Sequence, residues 1–297
     1  MRICTCLCML LLALSAPLHG SPAVIGTSPL HNAISVLSGS DVSVTFDVDM
    51  NAATINDLTL VVHSDLAGRR QGTISYNPGT RTAIFAPLVD FLPGERVSVS
   101  ITTGIESVTA VPLERSYVLF FVTASGEGTA AYDSSSGFWG SVSTNYADQI
   151  AGADLDEDMN VDLVTRSNLW NTITVWDNDG SGQFFSYTDH SDTDYDQPVT
   201  LNASDMDNDL ATDLLVGFLQ TVQTSNGPAT MIMKNYTGVF GYDEVINGGY
   251  PVGVAASDFD GDGFQDVVTL YQQGNPLYRI AVSINDGTGG FGLAGWQ

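Results

Sequence analysis

Cysteine is nearly absent from this 297-residue chain: the three present, Cys4, Cys6 and Cys8, all fall near the N-terminus. The rest has no thiol, which excludes a disulfide framework and any cysteine-based zinc or redox motif there. Positive charge is equally scarce. Lys and Arg total 9 against 34 Asp and Glu, the net charge is −25, and Lys234 is the one lysine. So anionic a chain repels phosphate backbones and anionic lipid surfaces, which argues against nucleic acid and selects cations as partners. Glutamate and other helix formers are few, while Thr, Val, Ser, Gly, Asn and Asp abound, as in short strands joined by tight turns. With 43% hydrophobic residues the chain has enough apolar material for packed cores.

Long apolar runs are also missing; none reaches the ~18 residues of a membrane span. A shorter run, Ile3 to Leu14, follows Arg2 and precedes the small residues and prolines between Ser15 and Ala23. That order is the pattern of an export signal. The expectation is a signal peptide over residues 1–23, cut after Gly20 or Ala23, and a secreted or cell-surface protein with no membrane span in the mature chain.

From residue 25 to 124 apolar residues alternate with period two: Val42, Val44, Phe46 and Val48; Leu58, Leu60 and Val62; Val97, Val99 and Ile101; Val118, Phe120 and Val122. Such alternation predicts strands with one buried face. Asn77, Pro78 and Gly79, and then Pro93, Gly94 and Glu95, supply turns between them. About seven strands in this length predict a β-sandwich. The segment from Phe46 to Ile55, the Phe85-Ala86-Pro87 and Leu92-Pro93-Gly94-Glu95 pair, and the closing Tyr117 to Thr123 strand resemble the bacterial Ig-like domain family found beside S-layer and cell-surface proteins. The resemblance implies a spacer or adhesive module and carries no chemistry. Residues 125–129 read as a short flexible linker.

Residues 130–297 hold the strongest signal, a nine-residue acidic motif in three copies. The first has Asp154, Asp156, Asp158, Asn160 and Asp162 at positions 1, 3, 5, 7 and 9. The second has Asp205, Asp207, Asp209, Ala211 and Asp213, and the third Asp258, Asp260, Asp262, Phe264 and Asp266. The copies start 51 and 53 residues apart, a repeat of propeller-blade size. Each follows a small or apolar segment and precedes a strand-like run, so the motif joins two strands and is no EF-hand. Calcium takes six to eight oxygens at roughly 2.3–2.6 Å. Carboxylates at positions 1, 3, 5 and 9, with the main-chain carbonyl at position 7, can supply them. Four carboxylates held together without a cation repel by several kcal/mol at surface-like dielectric. Magnesium fits less well, because it prefers a small rigid octahedron that keeps water.

These repeats resemble the FG-GAP/VCBS family, whose pattern the stretch from Asp258 to Asp266 matches throughout. A second element of that family, Asn-Asp-Gly-x-Gly-x-Phe, recurs from Asn178 to Phe184 and from Asn285 to Phe291, in worn form from Asn235 to Phe240, with a tail of another at Ser136–Phe138. The resemblance implies calcium-loop blades. Met159 and Leu210 replace glycine at position 6, which predicts weaker binding or an altered loop in copies one and two. At this period the region holds about three blades, fewer than the four to eight of a closed ring. The expectation is a reading frame cut short after Gln297, with an open or assembling array of blades as the alternative. The predicted fold is therefore all-β: an Ig-like β-sandwich followed by a partial β-propeller with calcium loops.

Little else suggests chemistry. His31, His63 and His190 are too scattered for a zinc motif, and no nucleophile elbow, phosphate loop or metalloprotease motif occurs. The acidic stretch Asp189–Asp196 lacks a position-9 acid and reads as a solvated loop. Trp139, Trp170, Trp176 and Trp296 suit packing between blades, and Asn202 and Asn235 stand in glycosylation sequons. The expected function is non-enzymatic: a secreted calcium-binding adhesion or binding protein with about three structural calcium ions and an extracellular protein or carbohydrate ligand. The alternative is the non-catalytic portion of a secreted polysaccharide-degrading enzyme.

Overall fold

The computed structural model describes residues 20–125, 147–167 and, apart from short breaks, 169–296. The export-signal run, most of the linker, Ser136–Phe138, Trp139, Trp170 and part of the Asp189–Asp196 stretch lie outside the described residues.

Alternating apolar residues fold the first region into two facing sheets. Its strands are β1 (Val24–Ser28), β2 (Ala33–Val36), β3 (Val42–Phe46), β4 (Leu60–Ser64), β5 (Gly68–Arg69), β6 (Gly72–Asn77), β7 (Thr82–Pro87), β8 (Arg96–Ile101) and β9 (Tyr117–Thr123). One sheet has the order β1-β3-β7-β6 and the other β2-β9-β8-β4-β5. Val42, Val44 and Phe46 of one sheet meet Leu60, Val62, Val97, Val99 and Ile101 of the other in a single core. Each such side chain contributes roughly 1.5–3 kcal/mol on burial. The turn before β8 is fastened by buried Glu95, whose Oε1 accepts the Leu92 N–H at 2.9 Å while Oε2 accepts the Ser64 hydroxyl.

Two details depart from the sequence reading. Leu58 is exposed ahead of β4, and in β9 the core-facing residues are Leu119 and Phe121, not Val118, Phe120 and Val122. From Tyr117 to Val122 the strand is apolar or aromatic at every position, so period two cannot choose its face. Phe120 instead lies half-buried on the outside, with the Arg96 guanidinium 4.1 Å from its ring centre.

Strands β4 and β8 have a further property: almost every residue in them is buried, on both faces. Their register sets Val61 opposite Ser100 and His63 opposite Ser98, on the side away from the sandwich core. These outward residues are as deeply buried as core residues, with Val61 at 2% and Ser100 at 4% exposure.

What covers them is the second region, three four-stranded antiparallel sheets in chain order. The first comprises β10 (Gln149–Ala153), β11 (Asp162–Ser167), β12 (Thr172–Asn178) and β13 (Phe184–His190). The second comprises β14 (Tyr195–Ser204), β15 (Asp213–Thr221), β16 (Gly227–Asn235) and β17 (Phe240–Asn247). The third comprises β18 (Tyr250–Ser257), β19 (Asp266–Gln272), β20 (Tyr278–Asn285) and β21 (Phe291–Trp296). Each acidic motif is the loop between the first and second strands of its sheet. The middle sheet is apolar on both faces: Leu214, Val216 and Met231 join the core shared with Val164 and Val175 of the first sheet, while Leu215 and Ile232 join the core shared with Val267 of the third. Stacking thus holds the three loops side by side.

Candidate metal centres

Each acidic loop is folded by its own carboxylates, in one hydrogen-bond pattern repeated three times. The position-1 carboxylate accepts the N–H of position 6: Met159 to Asp154, Leu210 to Asp205 and Gly263 to Asp258. Position 3 accepts from the N–H of position 5, and position 5 from the N–H of position 7, giving two consecutive Asx-type turns in each loop. The position-9 carboxylate closes the loop by accepting the N–H of position 2, from Leu155, Met206 and Phe259 at 2.8–2.9 Å.

The wrapping requires left-handed backbone at positions 4 and 6. The position-6 φ values are 72° for Met159, 83° for Leu210 and 96° for Gly263. Met159 and Leu210 therefore adopt the conformation expected of glycine, and the loops of copies one and two are not altered. The strain of about 1–3 kcal/mol for a non-glycine residue there is carried by the surrounding structure.

The consequence is convergence. Carboxylate oxygens of Asp154, Asp156 and Asp162 lie within 4.8 Å of one another, as do those of Asp205, Asp207 and Asp213, and those of Asp258, Asp260 and Asp262. Asp266, behind the third set, is fully buried. Asp158 groups with Asp156 and with Asp177, an acid that the motif does not include. Asp209 borders the second set, between the turn to Asp207 and the N–H of Ala211. Asn160, Ala211 and Phe264 each give their N–H to position 5, and the Asn160 side chain also donates to Asp158 Oδ2 at 2.7 Å.

Burial dominates the electrostatics. It raises the pKa of Asp154 and Asp162 to about 6, of Asp205 to about 7 and of Asp213 to about 8, against the pull of main-chain N–H donors; neighbouring aspartates push the same way as burial. In the third loop burial likewise raises Asp262 and Asp266 to about 6. A buried cluster of this kind favours either protons or a cation. Asp154 Oδ1 is buried with no hydrogen-bond partner at all. The donor set is oxygen throughout, with no cysteine or histidine, and this matches a hard divalent cation such as calcium rather than zinc or copper. The residues present therefore fit calcium.

Sequence reasoning missed three features. The first is the asparagine that opens each Asn-Asp-Gly-type hairpin. The main-chain N–H of Asn178, Asn235 and Asn285 donates to the position-9 Oδ1 of its own loop. The side chains of Asn235 and Asn285 also reach the adjacent sheet, donating to the carbonyls of Leu155 and Met206 at 2.7 and 2.8 Å. Asn235 is thus a buried latch between sheets and not an exposed glycan acceptor. The recurrence of the hairpin was visible, but not its bond to the loop. The second feature is the residue just before that asparagine: Asp177 beside loop one, Lys234 beside loop two and Ile284 beside loop three. Lys234 Nζ lies 3.5 Å from Asp207 Oδ2, with both side chains largely buried. The third is the cover that the sandwich provides. Of the tryptophans, Trp176 is buried and donates to Thr165 Oγ1 at 2.9 Å, on the neighbouring strand of its own sheet.

Residues 19–123 match the family model of the bacterial Ig-like domain. The sandwich is therefore a bacterial Ig-like domain. No curated protein matches the chain. Among solved structures, the N-terminal part of the bacterial S-layer protein SbsC is 13% identical, with 71% of this chain covering 43% of that one at a TM-score of 0.28. Native alpha-2-macroglobulin from Escherichia coli is 10% identical, with coverage of 93% and 86% and a TM-score of 0.29. An LD transpeptidase in complex with imipenem is 14% identical, with coverage of 74% and 80% and a TM-score of 0.26. The chain spans less than half the length of the SbsC fragment.

Proposed function

We propose that this chain is an extracellular or cell-surface binding protein whose three acidic loops hold structural calcium ions, in blades of the FG-GAP/VCBS type. The observation that carries the reading is the triplicated loop: three sheets, each folding four aspartates through the same hydrogen bonds and bringing carboxylates of three of them within 4.8 Å of one another around a buried position-1 residue. Asp154, Asp156 and Asp162, with Asp158 at the rim, would hold the first ion. Asp205, Asp207 and Asp213 would hold the second, with Asp209 at its edge, and Asp258, Asp260, Asp262 and Asp266 the third. Asn160, Ala211 and Phe264 remain available through their carbonyls. Bound calcium would neutralise the like charge that otherwise destabilises each loop. The work of the chain's own residues is to orient the carboxylates and tie each loop to its hairpin and neighbour.

Nothing in this reading requires catalysis. The roles it assigns are rigidity and display: stacked sheets hold a surface in shape for an extracellular protein or carbohydrate ligand. Extracellular calcium modules bind with Kd of roughly 10⁻⁴–10⁻³ M, which suits a calcium-rich exterior. Thermal melts in chelator, in millimolar calcium and in millimolar magnesium test the reading. The expected result is a Tm that falls in chelator and recovers most fully with calcium; the same Tm in all three solutions would refute it.

A further inference from the structure

The buried outward face of β4 and β8 lies directly against the metal loops, and all three loops meet the sandwich through their position-1 residues. In loop three the Ser100 hydroxyl donates to Asp258 Oδ2. In loop two the main-chain N–H of Arg69 donates to Asp205 Oδ2 at 3.2 Å. In loop one the main-chain N–H of Asp154 donates to the Leu66 carbonyl at 2.6 Å. Ser100, Arg69 and Leu66 belong to β8 and the β4–β5 hairpin, so one edge of one sheet serves three loops.

Packing agrees with the hydrogen bonds. A Cβ on Gly263 would come within 2.7 Å of Val61 Cγ2, and one on Gly68 within 2.9 Å of the Asp205 Cβ. The close fit thus involves a glycine on each side of the boundary. His63, which is also under this cover, is held neutral: burial first, then the charge of Arg69, lower its pKa to about 3.

We propose that the outer face of the β4–β5–β8 sheet is a docking seat for the three metal loops, so that cation binding by the loops and seating of the Ig-like domain are linked. The proposal rests on the calcium reading above. Its physical basis is that in loops two and three the same carboxylates, Asp205 and Asp258, serve both events, while loop one is held through the main chain of Asp154. A carboxylate oriented by Ser100 or by the Arg69 N–H is preorganised for the ion. A loop collapsed around an ion, with its mutual repulsion removed, presents a fixed surface to the sheet. Linkage of this kind is reciprocal: whatever unseats the domain weakens the ion, and by the same factor removal of the ion weakens the seat.

The test uses the full chain and calcium alone as the probe. Small-angle scattering is recorded in chelator and in calcium, and calcium titration calorimetry is run on the wild type, Val61→Phe and Ser100→Ala. Val61→Phe wedges the sheet against Gly263, while Ser100→Ala removes one hydroxyl from the seat; neither alters a loop carboxylate. The expected results are a radius of gyration that rises in chelator and falls on adding calcium, and calcium binding at one site weakened at least about fivefold in each variant, the low end of typical allosteric coupling. If the wild type binds calcium but its scattering does not respond and both variants bind as it does, the linkage is wrong and the calcium reading stands. If the wild type binds no calcium, both fail.

Discussion

Loop three and loops one and two share one hydrogen-bond plan yet differ in what lies above them. Loop three runs directly under the sandwich, where Gly263 meets Val61 and Gly261 meets Ser116. Above loops one and two the two regions separate into clefts of about 290 and 390 Å³, into which Met159 and Leu210 project among Arg69, Arg70 and Leu88. The Met159 sulfur takes an N–H from Arg70. Glycine at position 6 is therefore not demanded by the loop backbone, which Met159 and Leu210 also adopt. It is demanded where a second domain sits too close for a side chain.

The comparison can be broken in order of effect. The largest is collective. Folding without metal raises several loop carboxylates from the ordinary carboxylate range to about 6–8. A raised acid favours its protonated form in the folded state, so stability is lost as pH rises through the folded pKa values and regained on acidification towards the unfolded value near 4. In chelator the Tm should therefore climb as pH is lowered from 8 to 5, and calcium should flatten that slope. A metal-free Tm that falls over the same range would contradict the buried-cluster picture.

Next in size is Asp213→Ala, which strands the buried N–H groups of Met206 and Asn235. It should cost ~2–6 kcal/mol in denaturant melts, at ~1–3 kcal/mol per buried unsatisfied group. Asp213→Asn sharpens this: its amide keeps one oxygen acceptor but supplies no carboxylate, so it should cost less than Asp213→Ala in chelator, and its cost against wild type should grow in calcium.

Gly263→Ala should cost roughly 1–3 kcal/mol, from positive φ together with the clash against Val61. Leu210→Gly relieves the same strain and should change stability by less than ~1 kcal/mol. Equal costs for the two would mean that the sandwich does not distinguish the loops.

An effect on affinity and not on folding concerns charge. Lys234 places a cation beside loop two where Asp177 adds an acid beside loop one. Lys234→Met should tighten calcium at the second loop about tenfold, the equivalent of ~1.4 kcal/mol. Titration calorimetry reads this directly, and unchanged affinity would show that the ammonium does not compete with the ion.

Much of this architecture was legible in the sequence. The strands either side of each acidic motif and the paired Ig-like segments around Phe85 and Leu92 read correctly because each is a local pattern with a local cause. What escaped is non-local. Val61 and Ser100 alternate with core residues and look like a solvated face; nothing in β4 or β8 announces a cover more than a hundred residues downstream. The sequon at Asn235 is a local pattern, whereas its partner Leu155 is 80 positions away. In β9 an unbroken apolar run left the register undetermined.

On the reading proposed above, each aspartate cluster encloses a divalent ion. Calcium titration calorimetry of the wild type beside Asp258→Asn tests it most directly. The account predicts about three calcium ions per wild-type chain and one fewer in the variant. A folded wild-type chain that takes up no calcium at millimolar concentration, or a variant with the full complement, would contradict it.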